Sequence, residues 1–334
     1  METMGRLKGS WKGRKVFVTG GTGVVGTNLV NRLEGLGAEV TALVRDDVPK
    51  TRVLGAWLSG ESGVNLVRGG LENYPLLERA IAEYEVEYIF HLGAQTIVTT
   101  GNASPVGTFR ANIMGTWNLL EAARVVHGYS GQLKAVCVAS SDKAYGASER
   151  LPYTEDQPLA GTHPYEVSKS CTDLIARSYA ATYDLPVTVA RMGNIYGPGD
   201  LNFNRVIPGT IRSLLAGERP RIRSDGKPMR EYFFVGDAVG AYLALAERAG
   251  DRRVKGEAFN FSSGERATVI QVVKMISAKM NRRLKPLVLN ESRNEIRDQY
   301  LDIRKAKKVL KWRPAHSLDA GLDLTIPWYR EVFG

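Results

Sequence analysis

The stretch Lys15-Val16-Phe17-Val18-Thr19-Gly20-Gly21-Thr22-Gly23-Val24-Val25-Gly26 decides the fold. Its first five residues form a short, valine-rich apolar run of the kind buried in a parallel strand. Glycines follow at 20, 23 and 26, and a helix then runs on through Arg32 and Leu36. Strand, glycines and helix in that order permit a tight turn with close backbone approach, and the helix N-terminus attracts a pyrophosphate. Gly20, Thr22, Gly23, Val24, Val25 and Gly26 are therefore read as a dinucleotide-binding turn.

Working outward, the next strand, Glu39 to Val44, ends at Arg45-Asp46-Asp47, where an adenosine ribose sits in this kind of unit. Arg45 suits a 2′-phosphate and so tilts the reading toward NADP; Asp46 suits a 2′-hydroxyl and keeps NAD open. Strands over Val64–Arg68, Glu87–Leu92, Leu133–Ala139 and Pro186–Arg191 alternate with helices over about 75–84, 106–126 and from His163 onward. That alternation predicts an α/β fold, a Rossmann-type doubly wound parallel sheet. From Gly197 the rhythm breaks at Pro208, Pro220 and Pro228. The expected division is residues 1–196 as the cofactor domain and 197–334 as a smaller, mainly substrate-binding lobe, with some segments returning to the first domain and the site in the cleft between them.

Composition narrows the function classes. At 334 residues, 43% hydrophobic and 24% charged, the chain has ordinary globular composition. No apolar run approaches the roughly 18 residues of a membrane span, and Met1 to Arg14 lacks the apolar stretch of a secretory signal. Cys137 and Cys171 look like neither a disulfide pair nor metal ligands, which points to a reducing cytoplasm. Four histidines without close spacing argue against a metal site. The net charge of +10 is scattered rather than gathered in an aromatic-laced stripe, so it indicates a solvated surface or a diphosphate site, not nucleic acid.

The chemistry centres on His163-Pro164-Tyr165-Glu166-Val167-Ser168-Lys169. Tyrosine and lysine four apart on a helix share a face, and an ammonium there is expected to pull the phenol toward neutrality. Tyr165 then becomes a base for a sugar or alcohol hydroxyl. The strand ending at Ala139 runs into Ser140-Ser141-Asp142-Lys143-Ala144-Tyr145-Gly146, and C-terminal strand ends line the ligand crevice of a parallel sheet. Ser141 is placed to hydrogen-bond a substrate oxygen and Tyr165, with Asp142 and Lys143 an acid and a potential base beside it.

Taken with His91-Leu92-Gly93-Ala94-Gln95, Asn112 with Gly115-Thr116, and Arg191-Met192-Gly193-Asn194-Ile195-Tyr196-Gly197-Pro198, these motifs resemble the extended short-chain dehydrogenase/reductase family of nucleotide-sugar enzymes, over about residues 14–329. The resemblance implies an NAD(P)-binding domain, a nucleotide-sugar lobe and a catalytic triad of Ser141, Tyr165 and Lys169. It places Leu71, Leu92, Gly93, Ala94, Gln95 and Asn112 at the cofactor, with Gln95 also near substrate. Asn194 and Arg230 would meet the substrate diphosphate, Asn204 and Arg205 the sugar-nucleotide pocket, and Arg297 a second phosphate. Asn294-Glu295-Ile296-Arg297-Asp298-Gln299-Tyr300-Leu301-Asp302 and Trp312-Arg313-Pro314 resemble the C-terminal part of these enzymes. Gly69-Gly70-Leu71 departs from the usual Gly-Asp-Leu, which removes one adenine contact, and Gly93 stands where alanine is usual.

Within the family, Ser141-Asp142-Lys143 is similar to the CDP-glucose 4,6-dehydratases, as is the Asp200–Arg205 stretch. That implies conversion of a nucleotide-linked hexose to its 4-keto-6-deoxy form, with Lys143, held neutral by desolvation, as base and Asp142 as acid. The alternatives are a UDP-glucose-type 4-epimerase, which leaves that pair idle, and a non-catalytic NAD(P)-binding regulatory protein. The family also implies a homodimer or homotetramer through helices at about 106–126 and 163–183.

Overall fold

The computed structural model describes residues 11–46, 55–60, 62–291 and 296–334. The first ten residues of the expected N-terminal stretch, Asp47, Asn294 and Glu295 lie outside it. Seven parallel strands form the central sheet: β1 (Lys15–Thr19), β2 (Glu39–Val44), β3 (Asn65–Arg68), β4 (Tyr88–His91), β5 (Ala135–Ala139), β6 (Val187–Met192) and β7 (Ala258–Phe261). Their order is β7-β6-β5-β4-β1-β2-β3. Neighbours run parallel, with Val18 opposite Ala42 on one side and Phe90 on the other. Alternation divides each strand between two layers. Val16 and Val18 pack with Val40, Ala42 and Phe90 on one face, while Phe17 packs with Leu43, Val67 and Ile89 on the other. Each buried side chain of this kind contributes roughly 1.5–3 kcal/mol.

The order reverses beside β1, and that switch point opens a crevice at the strand ends Thr19, His91 and Ala139. The helix predicted over 106–126 is present and continuous from Pro105 to Ser130, its regularity interrupted only by a π turn at Arg110–Met114; Val98–Ala103 is a separate short helix before it. Pro105 starts a new element because it has no N–H to continue the preceding one. The π turn accompanies an inward-facing Asn112, whose use is described below.

Beyond residue 197 the chain does two things. Val235–Ala246 packs back on the main sheet, and β7 completes its edge. Ile303, Ala306, Leu310 and Trp312 join the main core as well, and most of the rest forms a small lobe around Ile207, Ile211, Leu214, Val272, Ile276, Leu322 and Ile326. In that lobe Met229–Glu231 pairs antiparallel with Arg266–Thr268 and parallel with Asp298–Gln299. Among the described residues, no helix is long and apolar enough to cross a membrane, no group of residues is arranged to hold a metal ion, and both cysteines are free.

Candidate active site

The glycine turn comes first in the chain and is the most constrained part of the crevice. Gly20 has φ +73°, and a Cβ there would lie 2.6 Å from the Gly93 amide nitrogen. A Cβ at Gly26 would lie 2.1 Å from the Gly20 carbonyl oxygen. Both positions need glycine for close backbone approach. Gly23 caps Val24–Gly35 without a side-chain partner, leaving the helix N-terminus facing the crevice with Thr22, Val24 and Val25 around it. Those open N–H groups fit the pyrophosphate of a dinucleotide. Leu71 packs against Gly93 and Gly115, Leu92 and Ala94 are half-buried at the β4 end, and Arg45 and Asp46 are exposed at the β2 end, joined by an ion pair of 2.6 Å.

A buried polar chain links this turn to the helix carrying Tyr165. Thr19 Oγ accepts from the Gly93 amide at 3.1 Å and lies 2.8 Å from His91 Nδ1. His91 Nε2 lies 3.0 Å from Thr116 Oγ, whose hydroxyl donates to the Asn112 carbonyl. The Asn112 side chain accepts from Gln95 N at 2.7 Å and donates to Ser168 Oγ at 2.9 Å. Ser168 in turn donates to the Tyr165 carbonyl at 2.7 Å. Burial pushes the His91 imidazole down to about 3, so this strut is built on a neutral ring.

Pro164–Tyr183 is the catalytic helix. Pro164 occupies its first position, and Glu166 accepts from the Thr162 and His163 amides at 3.0 and 3.3 Å, closing the N-terminus. Tyr165 and Lys169 face the crevice and are buried. Their electrostatics differ from the expected coupling. Lys169 Nζ donates to the Ala139 carbonyl at 2.8 Å, and burial lowers its pKa to about 8. The Tyr165 phenol is pushed up to about 12 by burial, partly opposed by its hydrogen bond with Ser141 and by the charge of Arg205. Spacing put the amine on the correct face, but one of its N–H groups is directed at a strand-end carbonyl.

Asp142–Tyr145 forms a short helical turn after β5. Ser141 Oγ donates to Asp142 Oδ1 at 3.0 Å and accepts from the Lys143 amide at 3.2 Å. The Asp142 carboxylate lies against Gly193, where a Cβ would come within 2.1 Å of Oδ2. Lys143 Nζ sits 4.0 Å from that carboxylate and donates to Gln299 Oε1; its side chain remains 24% exposed. The desolvated lysine expected here is instead an amine at the cleft edge between two oxygen acceptors.

Residues that spacing did not single out hold this turn. Arg191 pairs with Asp173 at 2.8 and 2.9 Å, fully buried, and donates to Tyr145 Oη at 2.8 Å. Tyr145 donates to Asn260 Oδ1 at 2.7 Å, and Ser170 donates to the Ala144 carbonyl at 3.0 Å. Asp173 stands one helical turn beyond Lys169, which is the only local signal of its role. Glu231, pushed up to about 7 by burial, accepts from Leu301 N and Ser262 Oγ.

The remaining substrate-side residues are spread around the lobe. Asn194 adopts φ +47°, and its carbonyl accepts from Phe233 N. Arg205 pairs with buried Asp200 at 3.1 Å, and Asn204 accepts from Arg223 at 2.6 Å. The Arg230 guanidinium donates to the Met229, Ile296 and Arg297 carbonyls, while the Arg297 side chain is exposed. Arg230 is thus tied to its neighbouring strand, and Arg297 lies at the surface.

The description "NAD dependent epimerase/dehydratase family" matches residues 16–261. The chain is 30% identical to a CDP-glucose 4,6-dehydratase of Salmonella typhimurium, over 97% of this chain and 92% of that one. It is also 30% identical to a UDP-glucose 4-epimerase of Mycolicibacterium smegmatis, over 95% and 98%. Among solved structures, the UDP-glucose 4-epimerase of Thermotoga maritima superposes with a TM-score of 0.85 at 27% identity, covering 96% of this chain and 99% of that one. The dTDP-glucose 4,6-dehydratase of Bacillus anthracis, in complex with NAD, gives 0.81 at 26%, covering 95% and 97%. With the glycine turn and its uncapped helix open to a dinucleotide, NAD(P)+ is the cofactor, and the chain belongs to the NAD-dependent epimerase/dehydratase family of nucleotide-sugar enzymes.

Proposed function

We propose that this enzyme is a nucleotide-sugar 4,6-dehydratase of the CDP-glucose type, making a 4-keto-6-deoxy sugar. One observation carries the reading: a buried carboxylate, Asp142, and an amine, Lys143, flank the Ser141–Tyr165 pair at the same strand end. An epimerase reacts only at carbon 4 and has no use for them. Bound NAD(P)+ supplies the acceptor and later donor of hydride, and its positive ring favours the phenolate of Tyr165.

In this mechanism Tyr165 takes the proton of the 4-hydroxyl while Ser141 orients that oxygen. Lys143 removes the carbon 5 proton, made acidic by the adjacent ketone, and Asp142 gives a proton to the departing 6-hydroxyl. Lys169 holds the strand end through the Ala139 carbonyl and presents its remaining N–H groups to the cofactor side. Gln95, Asn194, Asn204, Arg205, Arg230 and Arg297 remain the candidates for the nucleotide and diphosphate. Arg230 and Arg205 would first have to exchange their present partners for phosphate oxygens.

The test is product analysis with CDP-, dTDP- and UDP-glucose. Loss of one water in the product mass, together with the alkaline absorbance of a 4-keto sugar, supports dehydration. An isomer of unchanged mass supports the 4-epimerase reading, which the M. smegmatis and T. maritima relatives favour. Exposed Val106, Trp117 and Leu174 support self-association through the interrupted helix and the catalytic helix. A Trp117→Glu/Leu174→Glu double variant is expected to sediment as a monomer.

A further inference from the structure

We propose that Gln299 is a positioning residue for the amine of Lys143, a role that rests on the dehydratase reading. The two side chains come from opposite sides of the cleft, 156 positions apart, and Lys143 Nζ donates to Gln299 Oε1. An N–H of the amine is directed at the carboxamide oxygen, so the lone pair with which a neutral amine takes up a proton is not used in this contact. Gln299 is 1% exposed, and its backbone is fixed on both sides. It pairs with Arg230 in the lobe sheet. The next carbonyl, of Tyr300, accepts from Tyr153 N at 3.0 Å, and Leu301 N donates to Glu231 at 2.8 Å.

Lys143 has a flexible four-carbon stem on a short turn, and the Asp142 carboxylate stands as far as 4.0 Å from its Nζ. A rigidly mounted neutral acceptor fixes where Nζ sits without adding a second charge, whereas a carboxylate at 299 would hold the amine as ammonium. The step affected is the elimination. The carbon 5–hydrogen bond breaks and its proton goes to Nζ. Its electron pair becomes the carbon 5–carbon 6 double bond, and oxygen leaves carbon 6 with its bond pair, taking a proton from Asp142 to depart as water.

The experiment compares wild type, Gln299→Leu and Gln299→Glu as full-length proteins loaded with cofactor, on whichever of the three nucleotide sugars wild type turns over. Two partial reactions are read: substrate-driven change in nicotinamide absorbance, and deuterium uptake from solvent at carbon 5. Gln299→Leu is expected to lower carbon 5 exchange and 4-keto product by about tenfold to a hundredfold, with the nicotinamide change kept within about threefold. Equal loss of both, or of neither, overturns the role. A second readout needs no turnover: reductive methylation of Lys143 against pH, followed by peptide mass spectrometry. Gln299→Glu is expected to move the midpoint upward by about one unit, and an unmoved midpoint overturns the contact. A wild type that yields only an epimer sinks the dehydratase reading and with it the elimination role.

Discussion

Two amines face one cleft in this protein, and their surroundings are opposite. Lys169 is enclosed by the Rossmann frame, with its pKa lowered by burial and one of its N–H groups bonded to a strand-end carbonyl. Lys143 stands at the rim, partly solvated, between a carboxylate and an amide from the far lobe. The enclosed amine is assembled from one helix and the adjacent strand. The rim amine needs the lobe to complete its surroundings. On the dehydratase reading, the difference assigns the hydride chemistry to the frame, and the choice between dehydration and epimerisation to the junction of frame and lobe.

The largest test of that division is Tyr165→Phe, which removes the proton acceptor in the frame. Turnover is expected to fall by about 10³-fold, while cofactor titration by fluorescence is unchanged. Asp142→Asn strikes the junction instead. Formation of 4-keto product is expected to drop by about a hundredfold, with substrate-driven nicotinamide reduction retained. If Asp142→Asn leaves turnover of the preferred sugar untouched, the junction pair is idle and the epimerase reading takes over.

The frame was legible in the sequence because its signals are local. The glycine spacing, the valine-rich strand and the Tyr165–Lys169 pair each sit within one turn or one strand, so backbone geometry alone brings them together. The junction was legible only on the frame side, at Ser141-Asp142-Lys143. Its other half is Gln299, and the turn beneath it hangs on Asp173, Arg191 and Asn260, partners tens of residues apart whose meeting depends on the whole sheet order. Spacing also misled about Tyr165. It gives which face a lysine occupies, not which acceptor it hydrogen-bonds, and here that acceptor is the Ala139 carbonyl, while burial dominates the phenol.

The enclosed amine also carries a smaller, thermodynamic signature. Lys169 ionises near 8 in the folded chain and near 10.5 when unfolded. Between those values the unfolded state binds more protons, so this group makes stability rise with pH across that window. Below it, the folded state carries the full cost of a buried ammonium. Chemical unfolding of wild type and Lys169→Met is expected to show the variant gaining relative stability at neutral pH, with the gap shifting toward wild type by up to about 3 kcal/mol as pH rises from 8 to 10.5. A pH-independent gap would mean that the amine is solvated. Tyr165 works in the opposite sense above pH 10, since its folded pKa is raised, and Tyr165→Phe isolates that limb.

The weakest effect lies at the other end of the crevice, where Arg45 is already engaged. Its guanidinium is held by Asp46, both are exposed, and a surface pair of this kind contributes at most about 1 kcal/mol. A ribose 2′-phosphate would have to draw Arg45 away from that carboxylate and then sit near its charge, so the two residues act against each other in choosing the cofactor. Arg45→Ala is expected to weaken NADP+ binding by about fivefold with NAD+ affinity nearly constant, and Asp46→Ala to strengthen NADP+ by a similar factor. Calorimetric titration of the three proteins with both dinucleotides measures this directly. If neither substitution changes the ratio of the two affinities, the β2 end does not read the ribose, and cofactor choice has to be sought elsewhere along the crevice.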